Sequence, residues 1–165
     1  MFFKIIQGLY LLLFFMITFF PQTPLKQDGK WLIAFRRRMA YRTASRKLFL
    51  MVLALAVLFH DLAFFKCYGT DLWQMPGFLF GLVLLRNSWA DTLLYWLHEN
   101  RLAQMLAFAL VMISLIEPGL YTFSAAVGIL FAFSLMYPSR ELVRLAQMST
   151  DGDMPMDDDE IRRLY

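Results

Sequence analysis

Residues 76–97 read PGFLFGLVLLRNSWADTLLYWL. The stretch is long enough to cross a bilayer, yet Arg86 and Asp91 stand near its middle. A helix rises about 15 Å from Pro76 to Arg86, which sets the guanidinium near the midplane of a hydrocarbon core roughly 30 Å thick. A lone charge at that depth costs roughly 2.5–3.5 kcal/mol on insertion scales. Asp91 is a poor partner for it, because positions five apart on a helix point about 140° away from each other. Asn87 and Asp91, four apart, are placed to bond.

Two readings of this stretch stay open. In one it is a continuous helix with a charged waist, and Arg86 and Asp91 face other helices or a wet cavity. In the other the span ends near Leu85 and a second helix starts at Ser88, with Ser88 as N-cap and Asp91 at capping-box distance. Trp89, Leu93, Trp96 and Leu97 then share one face of a helix at the membrane interface, the depth Trp and Tyr favour.

The composition makes a membrane the natural setting. Of 165 residues 59% are hydrophobic and only 18% charged, with 17 Phe, which is more apolar and less charged than a soluble domain of this length. Other apolar runs are residues 2–20, 48–65 and 102–137. The last is too long for one crossing, and Glu117-Pro118-Gly119 divides it into a hairpin of helices, 102–116 and 120–137. The expected fold is therefore all-α: a polytopic integral membrane protein of about five transmembrane helices. Its parts are an anchor (1–21), a basic amphipathic cytoplasmic segment (22–47), a four-helix membrane region (48–138), and a cytoplasmic helix with an acidic tail (139–165). One Lys before the first run and no small-x-small site after it argue for a retained anchor rather than a signal peptide.

The positive-inside rule sets the orientation. With the arginine-rich loop in the cytoplasm, only Lys4 and Lys66 of the 16 basic residues fall outside. If residues 76–97 did not cross, the basic residues would split eight and eight. The N-terminus is thus expected outside and the C-terminus inside, in a bacterial cytoplasmic membrane.

The basic segment WLIAFRRRMAYRTASRK (31–47) is the strongest local signal. Arg38, Arg42 and Arg46 recur at four-residue steps, as do Trp31, Phe35 and Met39. Those three arginines, with Trp31, Phe35, Arg36, Arg37 and Lys47, are expected to form a lipid- or partner-binding surface, since each basic residue gains about 1 kcal/mol near anionic head groups. Nucleic acid is not expected, for no supporting fold is legible.

The intramembrane polar candidates are Arg86, Asp91, Glu117 and Asp61. His60 and Asp61 are adjacent, so on a helix they point about 100° apart and do not readily chelate one ion. His98 falls on the opposite membrane face from His60. Cys67 is the sole cysteine, which excludes an internal disulfide and a cysteine-based zinc cluster. No metal or cofactor is expected.

PSRELVRLAQM (138–148) predicts a helix from a Ser139 cap. Six acids between Asp151 and Glu160 predict a solvated tail. The functional expectation is a non-enzymatic accessory or scaffold subunit of a larger inner-membrane assembly, of secretion or transfer type. It would contact anionic lipids and other membrane proteins, with homo-oligomers open. The alternative is a small oligomeric channel or transporter using Arg86, Asp91 and Glu117. A lipid-modifying enzyme built on Asp91, His98, Glu99 and Arg101 ranks third.

Overall fold

A computed structural model describes residues 30–69, 71–116 and 118–150, together with Ile5 and Leu9. The rest of the first apolar run, Glu117, the Trp31 side chain and the acidic stretch 151–165 lie outside the described residues. Among the described residues the regular structure is helical: α1 (Lys30–Tyr41), α2 (Thr43–Tyr68), α3 (Pro76–Leu84), α4 (Asn87–Glu99), α5 (Arg101–Ile116), α6 (Tyr121–Ser134) and α7 (Arg140–Thr150). Single 3-10 turns at Leu72–Gln74 and Pro118–Leu120 join α2 to α3 and α5 to α6. The second turn lies where Pro118-Gly119 predicts a break.

Helix α2 has 26 residues, about 39 Å. Among the described residues it alone is long and apolar enough to cross a membrane unaided. Its most apolar window is only 28% buried, whereas the core helix of a soluble domain is mostly buried. By contrast α3, α5 and α6 have 9, 16 and 14 residues. At about 13, 24 and 21 Å they each fall short of a 30 Å core. Gly69, in the left-handed region at φ 66°, ends α2 and returns its N–H to the Phe65 carbonyl at 2.8 Å, the C-terminal cap that glycine suits.

Leu50, Leu53, Ala54, Val57 and Asp61 form the buried stripe of α2, at the spacing of one helix face. Met51, Leu55, Phe59 and Leu62 lie exposed. Helix α6 is buried on nearly every side and packs against α2, α3, α4 and α5. Small residues make these approaches close: Ser124, Ala125 and Gly128 on α6, and Ala103 and Ala107 on α5. On α3, a Cβ added to Gly77 would lie 2.4 Å from the Thr122 carbonyl oxygen. The four-residue step Gly77–Gly81 is the small-xxx-small signature of tight helix crossing.

The 76–97 stretch is broken. Helix α3 ends in tightened turns, with Leu85 and Arg86 N–H groups bonding Leu82 and Val83 carbonyls at 3.2 and 3.1 Å. Arg86 itself is extended and exposed. The second helix starts at Asn87, not Ser88, and Arg86 holds the capping position without a side-chain bond. Trp89 and Trp96 are exposed together, but Leu97 faces the core with Ala90 and Leu94. Leu93 is half-buried against the same core, so only the two tryptophans keep the expected outward face, because α4 lies against α6 and must bury a stripe of its own.

The basic segment is likewise divided. Arg42 is extended (φ −111°, ψ 104°), so Arg38, Arg42 and Arg46 do not share one continuous helix, and α2 reaches back to Thr43. The cause is tertiary. Ile33 and Ala40 of α1 pack with Leu142 and Ala146 of α7 in a small second core. Helix α7 begins as expected, the Ser139 hydroxyl accepting the Leu142 N–H at 3.2 Å.

Candidate functional site

Polar groups gather at the two ends of α6. At its start, near Tyr121, stands Asp61. This side chain is fully buried (0% exposed), and its Oδ1 accepts from His60 Nδ1 at 2.9 Å. Its Oδ2 is closed off from solvent with no hydrogen-bond partner among the described residues. Gly77 and Thr122 complete the cluster: the Gly77 N–H donates to Thr122 Oγ1 at 3.3 Å, and a Cβ on Gly77 would meet Asp61 Oδ2 at 2.7 Å. His60 and Phe64 lie against the Tyr121 ring at 5.9 and 5.0 Å. A carboxylate this enclosed on an apolar helix costs several kcal/mol as an ion, so it is either neutral or matched by a cation. Backbone directions about 100° apart do not prevent the His60–Asp61 bond, because the side chains are free to turn toward each other.

The second cluster lies at the other end of α6, beside α1, α4 and α7. The Tyr137 hydroxyl donates to Asp91 Oδ1, and this replaces the Asn87–Asp91 bond expected from spacing. Tyr137 also packs against Phe49 and Tyr95 at 5.9 and 5.0 Å. Arg140 sits over the Tyr95 ring at 5.2 Å, a cation–π distance. Burial first, then the Asp91 charge, holds the Tyr95 phenol above its ordinary value. Glu99 accepts the Arg140 N–H at 2.8 Å, a carboxylate at the start of α7. His98 Nδ1 donates to the Ser134 carbonyl at 2.8 Å. His60 and His98 are thus at opposite ends of α6 and share no ion.

Three depressions open at this end. One of about 280 Å³ is lined by Thr43, Arg46, Lys47, Leu50, Asn87, Ser88 and Asp91. A second, of about 310 Å³, lies among Phe35, Arg38, Met39, Ser45, Leu48 and Phe49. A third, on α1, lies among Ala34, Arg37, Arg38, Tyr41 and Arg42. The basic candidates are spread unevenly: Arg38, Arg42 and Lys47 are exposed, Arg37 and Arg46 are half-buried, and Arg36 is buried. Phe35 is half-buried against Phe49, ring to ring at 5.8 Å, and Met39 joins the main core.

The intramembrane candidates do not converge. Asp61 is at one end and Asp91 at the other, Arg86 makes no ion pair with Asp91, and Glu117 is outside the described residues. Among the described residues no three His, Cys, Asp or Glu side chains approach one another closely enough to hold a metal. No protein family, characterised protein or solved structure matches the chain.

Proposed function

We propose that the chain is a non-enzymatic membrane subunit that acts by helix packing within a larger inner-membrane assembly. The observation that carries this reading is the run of apolar side chains left open on α2 and α5, among them Met51, Leu55, Phe59, Met105, Leu110 and Ile113. Lipid or a neighbouring helix must cover them. In this reading the chain crosses five times, with residues 22–47 and 139–165 in the cytoplasm. The packing of α1 on α7 supports a common side for those segments. Helix α4 lies along the interface, Trp89 and Trp96 outward, and the shorter crossings are met by local thinning of the bilayer.

Photo-crosslinkers at Met51, Phe59 and Met105 test the idea. One α2 or α5 position should give a protein adduct of discrete mass, with the others giving lipid. Lipid adducts at all three would refute the subunit reading.

A second reading, a small oligomeric channel or transporter, is favoured by one observation: the enclosed Asp61 carboxylate with its unpartnered Oδ2, since ionisable groups at such positions commonly serve ion movement. Absence of any flux in proteoliposomes would remove it, and flux that survives Asp61→Asn and Arg86→Ala would remove the roles of those residues.

A further inference from the structure

The depression between α2 and α4 has a chemistry that its neighbours lack. Arg46 and Lys47 reach it from α2, and Asn87 and Ser88 from the first turn of α4. Arg46 Nη2 donates to Thr43 Oγ1 at 3.4 Å, which holds the guanidinium beside the start of α2. A guanidinium has five donors in a fixed fork, a match for phosphate or carboxylate oxygens. Asp91 is the one acid in the lining, and it is turned to the Tyr137 hydroxyl. Neither α2 nor α4 has a side-chain N-cap, so the leading N–H groups of both helices remain available to an anion.

We infer that this pocket binds the phosphate of a phospholipid head group, held by Arg46, Lys47 and the first turn of α4. The shared chemistry is a phosphate ester. Its lipid origin is argued from the pocket's flanks. Met51 on α2, and Leu85 and Trp89 around the start of α4, are all exposed, and Met51 lies one turn along the helix face from Lys47. A free anion would leave those side chains bare, whereas acyl chains would cover them. The site differs from diffuse attraction to an anionic surface because it needs α4 as well as the basic segment. It rests on the reading that α2 lies in a bilayer, which alkaline carbonate extraction tests separately.

The experiment is native mass spectrometry of the full chain released from detergent. Three probes are titrated: dioleoyl phosphatidylglycerol, dioleoyl phosphatidylethanolamine and glycerol 3-phosphate. The wild type should retain a single phospholipid adduct that glycerol 3-phosphate at equal concentration does not displace. Arg46→Gln should weaken the adduct roughly tenfold, the loss of one charge-assisted bond. Asn87→Asp should weaken it comparably while leaving far-ultraviolet circular dichroism intact, because an acid in the first turn favours the helix and repels the phosphate. Lys66→Gln, at the other end of α2, should change nothing. If Arg46→Gln fails to fold, Asn87→Asp decides. An adduct unchanged in Asn87→Asp overturns the site, and displacement by glycerol 3-phosphate overturns its lipid origin.

Discussion

Gly77→Ala should be among the most damaging single-methyl additions in this protein. The new Cβ would lie 2.4 and 2.5 Å from the Thr122 carbonyl oxygen and carbon, and 2.7 Å from Asp61 Oδ2. An ordinary carbon–oxygen contact is about 3.3–3.6 Å, so α3 and α6 must part by roughly 1 Å. Overpacking of this kind costs about 1–3 kcal/mol. Parting also stretches the 3.3 Å bond from the Gly77 N–H to Thr122 Oγ1, worth about 0.5–1.5 kcal/mol. The helix gain of Ala over Gly, about 1 kcal/mol in a helix interior, is smaller here, because Gly77 sits in the first turn of α3. The net expectation is a loss of about 1–3 kcal/mol.

Gly81→Ala is the internal control. Its Cβ would meet Leu58 Cδ2 at 2.9 Å and Val57 Cγ1 at 3.1 Å, which are ends of side chains rather than backbone. A small shift relieves them, at a cost of under about 1 kcal/mol, offset by the full helix gain of about 1 kcal/mol. Equilibrium unfolding of both variants in mixed detergent micelles, followed by circular dichroism, reads the difference. Gly77→Ala should unfold about 2 kcal/mol sooner than Gly81→Ala. Equal stabilities, or the reverse order, would refute the close α3–α6 contact at Gly77.

Tyr137→Phe leaves the half-buried Asp91 without its hydroxyl donor and should cost about 1–3 kcal/mol in the same unfolding assay; an unchanged midpoint would show that the bond is not formed. Asp61→Asn replaces the enclosed acid, whose Oδ2 has no partner among the described residues, with a neutral amide, and should be neutral or stabilising by up to about 1 kcal/mol. Asp61→Ala, which opens a cavity, should cost about 1–3 kcal/mol, and a stability order with Asn below Ala would defeat this account. In a Cys67→Ser background, a cysteine at position 86 should react with a water-soluble maleimide and one at position 94 should not, because Arg86 is exposed and Leu94 is buried. Labelling at both positions would contradict the packing of α4.

Local chemistry was the legible part of this fold. Pro118-Gly119 divides the last apolar run, Ser139 starts a helix, and the polar Arg86-Asn87-Ser88 interrupts a stretch whose charge has no partner at helical spacing. The illegible parts are contacts between distant segments. Asp91 and Tyr137 are 46 positions apart, and nothing beside either residue announces the other. The bend at Arg42 has only a weak local signal, the poor helix formers Tyr41 and Thr43 on either side, and its place agrees with where Ile33 and Ala40 find Leu142 and Ala146. Gly77 and Gly81 are an intermediate case. Their spacing was in plain view, but only the closeness of Thr122 gives it a consequence.

The α1–α7 clasp ties together two stretches at opposite ends of the described chain. Arg42 joins α1 to the bundle, a short connection joins α7, and four side chains form the heart of their shared core. The clasp is continuous with the larger core, which Met39 of α1 and Val143 of α7 join. Mechanical load on either stretch is therefore borne by both, and whatever pries one helix loose strips the other of a partner.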